Sequence, residues 1–202
     1  MTAMRPTFEA WHRRAVLAAA LAAALPLRAA VIAEQRFDDR IRLADTELVL
    51  NGVGLRAVAW FKGYAAALYL AQKAATPEAV LAQAGPKRVQ MKLMVDVDAI
   101  EFVKAIDKGM RRNHTPDELA ALQARIARFD RTVQAIGRLK KGDVVDLDFV
   151  PARGLLLSLN GRQRGEPVPG ADFFAGILKI YIGADPVDQR LKAGLLGGSP
   201  SY

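Results

Sequence analysis

Cysteine is absent from the 202 residues, histidine occurs twice and serine three times. Without cysteine there is no disulfide, no thiolate nucleophile and no thiolate metal ligand, so stability must come from a packed core. Ser–His and Cys–His catalysis needs an imidazole beside a hydroxyl or thiol. His12 lies in a basic N-terminal segment, and His114 sits in the Asn113-His114-Thr115 link between two helical patterns, where it reads as a solvated surface residue. Ser158 falls inside a strand pattern, and Ser199 and Ser201 are in the tail. This inventory argues against hydrolases of those kinds. Carboxylates do not cluster either: Asp38-Asp39 and the Asp96/Asp98 pair are isolated and read as turn and capping residues, so no metal is expected. Gly52-Val53-Gly54 lacks a third glycine and opens a strand instead of a helix, so no dinucleotide or phosphate loop is present and no cofactor is expected.

No apolar run is long enough for a permanent membrane span, which takes ~20 residues. The longest, Ala15 to Leu25, follows Arg13-Arg14 and ends at Pro26 before small residues. Basic residues, a short apolar stretch and small residues, in that order, read as a cleaved export signal over residues 1–33, followed by one domain over 34–202. Cleavage is expected after Ala29 or Ala33, because Val31-Ile32-Ala33 offers small side chains at both required positions. His12-Arg13-Arg14-Ala15-Val16-Leu17 also resembles a twin-arginine signal, which leaves the route open. The expected location is periplasmic or secreted. The formal net charge of +8 falls to +5 once Arg5, Arg13, Arg14, Arg28 and Glu9 are removed. The remaining cations, among them Arg111-Arg112, Lys140-Lys141, Arg162 and Arg164, are scattered at helix ends and turns without interleaved aromatics, so no nucleic-acid partner is expected.

No repeat or low-complexity linker interrupts residues 35–197. Ile41 to Arg56 reads as two short strands around turn residues, and Ala57 to Gln72 as one central strand. Thr76-Pro77-Glu78 starts a short helix ended by Gly85. Lys87 to Val95 alternates as a half-buried strand. Asp98 with Glu101 predicts a capping box opening a helix to about Arg112, and Thr115-Pro116-Asp117-Glu118 opens another running to Ile136. Strands follow at Val144 to Val150 and Leu155 to Leu159, with Asn160-Gly161 turning a hairpin into Arg162 to Val168. Helices over Ala171 to Ile182 and Pro186 to Leu196 complete the chain. Strands in runs and helices in runs predict an α+β fold, an antiparallel sheet with helices on one face.

The central segment, Asn51-Gly-Val-Gly-Leu-Arg-Ala-Val-Ala-Trp-Phe-Lys-Gly-Tyr to Leu70, carries most of the functional information. Val58, Trp60, Tyr64, Ala66, Leu68 and Leu70 share one parity, and Ala59, Phe61, Ala65, Ala67 and Tyr69 the other. A strand apolar on both parities requires cover on both faces. Arg56 stands at its start, and a guanidinium there needs an anionic or carbonyl partner. Asp45 or Glu47 on a neighbouring strand would serve, as would the head of an amphiphilic ligand; position favours the ligand. Tyr64 alone reads as a core tyrosine. If the strand runs unbroken from Arg56, the two side chains lie about 26 Å apart, so sharing one ligand head requires a bend or bulge, with Gly63 a candidate.

Four motifs carry a family resemblance: Gly54-Leu55-Arg56 with Phe61-Lys62-Gly63-Tyr64 to Leu68-Tyr69-Leu70; Val95 to Ala105; Pro169 to Phe174; and Gly183 to Gly197. Together they resemble the chalcone isomerase-like family across roughly residues 35–197. The resemblance implies an open-faced antiparallel sheet covered on one face by a layer of helices, with the ligand cleft between the layers. It implies that Arg56 contacts an anionic or carbonyl oxygen. In the flavonoid-forming enzymes the position of Tyr64 is a threonine that polarises the ketone, whereas fatty-acid-binding relatives carry tyrosine there. The remaining catalytic tyrosine and asparagine of the enzymes should fall at Val97 to Lys104, where neither residue type occurs. The resemblance therefore implies a ligand-binding protein with Arg56 and Tyr64 holding the head of a fatty acid or similar amphiphilic or aromatic ligand. The alternative is an intramolecular lyase or isomerase of an enone, with Arg56 as its electrophile.

Overall fold

The computed structural model describes residues 29–58 and 61–198. The chain begins with a hairpin of β1 (Ala29–Ile32) and β2 (Gln35–Asp38). Then come β3 (Arg40–Leu43), β4 (Thr46–Val58), β5 (Phe61–Leu70), the short helix α1 (Pro77–Ala82) and β6 (Lys87–Leu93). A two-residue strand, β7 (Val97–Asp98), leads into α2 (Ala99–Asn113) and α3 (Pro116–Gln134), and β8 (Arg138–Leu139) closes back on β7. The meander β9 (Val144–Val150), β10 (Gly154–Leu159) and β11 (Arg162–Val168) precedes α4 (Ala171–Ile182) and α5 (Gln189–Leu195). Seven strands form one antiparallel sheet in the order β11-β10-β9-β6-β5-β4-β3. Helices pack on one face of it, giving the α+β architecture anticipated above.

Parity along β5 shows how one strand serves two cores. Ala66, Leu68 and Leu70 point into the core shared with the helices, together with Met91 and Leu93 of β6 and Phe173, Ile177 and Ile180 of α4. Ala65, Ala67 and Tyr69 point the other way, into a smaller core closed by Ile32 and Phe37 of the β1–β2 hairpin. Both faces of β5 are thus covered, and each alternate residue is removed from water. Ile32, a residue of the expected export signal, is 1% exposed in this second core; residues 1–28 lie outside the described residues.

Three local expectations are corrected. The central strand is not continuous over Ala57 to Gln72: Val58 pairs with Phe61, so the chain reverses there and β4 lies beside β5. Asp98 does not cap α2 with its side chain. It is a strand residue, and its carboxylate faces the Arg138 guanidinium at 3.5 Å while Glu101 pairs with Lys104. The last helix starts at Gln189, capped by Asp188, instead of at Pro186. By contrast, Thr115 and Glu118 form the full reciprocal capping box on α3. Asn160-Gly161 joins β10 to β11 as expected, both with positive φ.

Candidate functional site

The reversal between β4 and β5 brings the two site residues together. Arg56 and Tyr64 are direct cross-strand partners, and opposite residues of an antiparallel pair project on the same face with Cβ atoms about 5 Å apart. The next pair is Ala57 with Lys62, which leaves Gly63 as the extra residue of a bulge. The Met94 amide donates to the Gly63 carbonyl at 3.0 Å and fixes that bulge against β6. The 26 Å separation of an unbroken strand therefore does not arise.

Asp188 is the third member, and glycine geometry delivers it. A Cβ on Gly52 would lie 2.1 Å from the Gly194 carbonyl oxygen, and one on Gly54 2.7 Å from that of Leu191. Only bare backbone lets α5 settle this closely on β4. A second bulge at Asn51 clamps the helix end: its Nδ2 donates to the Leu195 carbonyl at 2.8 Å and to that of Ala74 at 2.9 Å, and its Oδ1 accepts from the Ala74 amide at 2.7 Å. The N-terminus of α5 then falls beside Arg56. Asp188 Oδ1 accepts from the Arg190 and Leu191 amides, and its Oδ2 accepts from Arg56 Nη1 at 3.3 Å. Arg56 Nη1 also donates to the Ala57 carbonyl at 2.8 Å. Neither Asp45 nor Glu47 pairs with Arg56; Glu47 is held by Arg40 on the neighbouring strand. The guanidinium side chain is 25% exposed, and its Nε and Nη2 make no hydrogen bond among the described residues, so part of its donor fork faces outward.

Two tyrosines extend the site inward. Tyr64 is half-buried against the helix-side core, and burial together with neighbouring Tyr181 pushes its hydroxyl well above the usual tyrosine range, against a smaller opposing pull from Arg56. It is accordingly a neutral O–H donor, suited to a carboxylate or carbonyl oxygen. Tyr181 of α4 is 5% exposed, and burial raises its hydroxyl too; it donates to the Met91 sulfur at 3.6 Å. Met91 and Tyr181 in turn line an apolar cavity between sheet and helices, with Phe102 and Ile106 from α2 and Phe129 and Val133 from α3. Its volume is about 20 Å³, room for one water-sized sphere against the roughly 300–1,000 Å³ of ordinary ligand pockets. The layers are closed on one another.

Sequence reasoning named Arg56 and Tyr64 but missed Asp188 and Tyr181. Asp188 had a usable signal, a capping residue inside the Gly183–Gly197 motif; Tyr181 had none, since it sits in an apolar helix where core packing is the default. His114 is not solvated as expected: it is half-buried, with Nδ1 2.9 Å from the Met110 carbonyl oxygen at the end of α2. Tyr69, as parity requires, lies in the opposite core from Tyr64. Among the described residues no group of three His, Cys, Asp or Glu side chains is placed to hold a metal ion, and no helix is long and apolar enough to cross a membrane.

A sheet roofed by helices, with an arginine–tyrosine pair at one end of the layer between them, defines a chalcone isomerase-type architecture. A family model described as chalcone isomerase-like matches residues 29–197, and the chain belongs to that family. The crystal structure of a fatty-acid binding protein from Arabidopsis thaliana is similar in fold, with a TM-score of 0.60, 16% sequence identity, and 84% of this chain and 96% of that one covered. No curated protein matches the chain.

Proposed function

We propose that this protein binds a fatty acid or similar anionic amphiphile, its head group held by Arg56 and Tyr64 and its tail between sheet and helices. The observation that carries this reading is the cross-strand pairing of a partly free guanidinium with a neutral tyrosine hydroxyl. Arg56 offers charge-assisted donors from Nε and Nη2, and Tyr64 adds one more. From Tyr64 the path runs past Tyr181 and Met91 into the apolar cavity. That cavity is too small for a tail, so binding includes a separation of α2 and α3 from the sheet. The likeness to a fatty-acid binding protein supports the same class of ligand.

Titration of a fluorescent long-chain fatty acid against wild type, Arg56→Ala and Tyr64→Phe tests the assignment. A charge-assisted hydrogen bond contributes about 1.5–3 kcal/mol, so Arg56→Ala should weaken binding roughly 10- to 150-fold. Tyr64→Phe, which loses a neutral donor, should cost less. Unchanged affinity in Arg56→Ala overturns the head-group assignment.

One observation favours a second reading, an enone isomerase: Tyr181 places another buried hydroxyl beside Tyr64, from α4 and not from Val97 to Lys104. Arg56 would then stabilise the enolate-like oxygen and a tyrosine would donate the proton. Loss of chalcone absorbance well above the spontaneous rate, abolished in Arg56→Ala, would establish it; the reading above expects no such turnover.

Residues 1–28 support export to the periplasm by their basic, apolar and small-residue order. Cleavage after Ala29 keeps Ile32 in its core, whereas cleavage after Ala33 removes it. An intact mass beginning at Ala30 in envelope fractions is expected.

A further inference from the structure

Between α3 and β11 lies an open groove of about 510 Å³ that the proposed ligand site does not use. Arg128, Arg131 and Thr132 line it from α3 and Ala135 from the cap of that helix, at the three- and four-residue spacing that puts them on one face. Arg164, Gly165 and Glu166 line it from the strand. The floor is built by an irregularity in β11. Leu157 pairs with Arg164 but Leu155 pairs with Val168, so the strand bulges across Gly165 to Pro167. Gly165 takes a φ of +60°, and a Cβ there would lie 2.7 Å from Thr132 Cγ2. Only glycine brings the strand that close to the helix, and this approach holds Arg164 opposite Arg128 and Arg131.

The three guanidiniums differ from the other arginines of α2 and α3. Arg111, Arg112 and Arg125 each have a carboxylate partner. Among the described residues Arg128, Arg131 and Arg164 have no ion pair and no side-chain hydrogen bond, although Glu166 lines the same groove. Three unneutralised forks around one concavity suit a phosphate-sized anion. The groove also shares a wall with the apolar cavity: Ile136, just past the end of α3, lines both, and Val133 and Phe129 of α3 continue inward. An anion held here would stand where an acyl chain can pass between α3 and the sheet.

We propose that this groove docks the protein on anionic phospholipid, the lipid phosphate lying among Arg128, Arg131 and Arg164, so that the amphiphile enters past Ile136. The docking surface stands on its own chemistry; only the direction of tail entry rests on the function proposed above. Protein recovered from its producing cells is pelleted with vesicles of phosphatidylcholine alone or mixed with phosphatidylglycerol. Wild type should bind the mixed vesicles, with affinity falling as salt rises, and should not bind phosphatidylcholine. Arg128→Gln/Arg131→Gln/Arg164→Gln should bind roughly 100-fold more weakly, each removed cation near an anionic surface contributing a factor of several. A control with the same charge change elsewhere, Arg42→Gln/Lys141→Gln/Arg153→Gln, should stay close to wild type. All six positions are exposed, and a thermal melt of each variant confirms that the fold is kept. Arg56→Ala should still bind vesicles, which separates this test from that of the head-group site. Equal loss in both triple variants would show a bulk charge effect and overturn the proposal. So would displacement from vesicles by millimolar inorganic phosphate, because the groove would then be a site for the free ion.

Discussion

Arg56 is held on one side and free on the other, and that division defines what a ligand must do. Its Nη1 is committed to the Ala57 carbonyl and to Asp188. An incoming carboxylate meets the remaining donors but also the Asp188 charge. Asp188→Asn should therefore tighten binding of a fatty-acid anion, by up to about fivefold for a partly exposed pair. Asparagine is as good an N-cap as aspartate, so α5 should stay in place and the melting temperature should barely move. Weaker binding in Asp188→Asn would mean that Asp188 orients the guanidinium more than it competes for it. The sequence made Arg56 conspicuous, since a cation stands out in an apolar run, whereas Tyr64 reads as a core tyrosine until the family motif singles it out. It hid their partner, because the Asp188 contact spans 132 residues and depends on where α5 lands.

That landing depends on three glycines facing one another across β4 and α5. A Cβ on Gly194 would lie 2.2 Å from the Val53 carbonyl oxygen, backbone that cannot swing aside. Gly194→Ala or Gly54→Ala should cost about 1–3 kcal/mol or more, as overpacking does, read as a lower denaturation midpoint. The shifted helix would carry Asp188 away from Arg56, so ligand affinity should change in the folded fraction as well. Full stability in both variants would show that α5 is less tightly seated than the contacts imply.

The α2–α3 pair contains the opposite kind of contact. Asp130 Oδ1 is buried without a hydrogen-bond partner among the described residues, and burial first, then nearby Asp107 on α2, raises its carboxyl above the ordinary range. Because the folded-state value lies above the unfolded one, the folded protein holds the proton more tightly. The penalty is therefore absent at pH below the unfolded value near 4 and is established as pH rises through the folded value. Asp130→Asn removes the charge at similar size. It should raise the melting temperature at pH 7, and its advantage should shrink as pH falls into the carboxyl range. A constant advantage at all pH values would assign the effect to packing instead. A strained charge at this interface is consistent with a helix pair that is closed but not locked.

Across the molecule, what could be read from the sequence was whatever alternates or caps locally. The strands β6, β9 and β10 and the helices α3 and α4 fall within a residue or two of their expected limits because period and punctuation agree there. The β4–β5 reversal was illegible, since Ala59-Trp60 contains none of the glycine, asparagine, aspartate or proline that marks a tight turn. Fill was illegible too: a motif can announce a cleft, but only packing in three dimensions shows that the cleft is closed to about 20 Å³.

That closure separates this protein from one with a preformed tunnel, and chain length can expose the difference. In an open tunnel each methylene buried adds about 0.8 kcal/mol from the first carbon onward. Here the tail must first part α2 and α3 from the sheet, breaking contacts of Phe102, Ile106, Phe129 and Val133, at a cost that does not grow with tail length. Short acids should therefore bind scarcely at all, and affinity should rise steeply once the tail buries enough surface to offset the opening. Hydrogen exchange locates the event. Saturation with a long-chain acid should alter exchange in residues 99–113 and 116–134 while the amides of β5 and β6 stay protected, and a short acid should leave both regions as they were. Tight binding of the long acid with no change in α2 or α3 would place the tail elsewhere, and the cavity between sheet and helices would then be only an imperfection of the core.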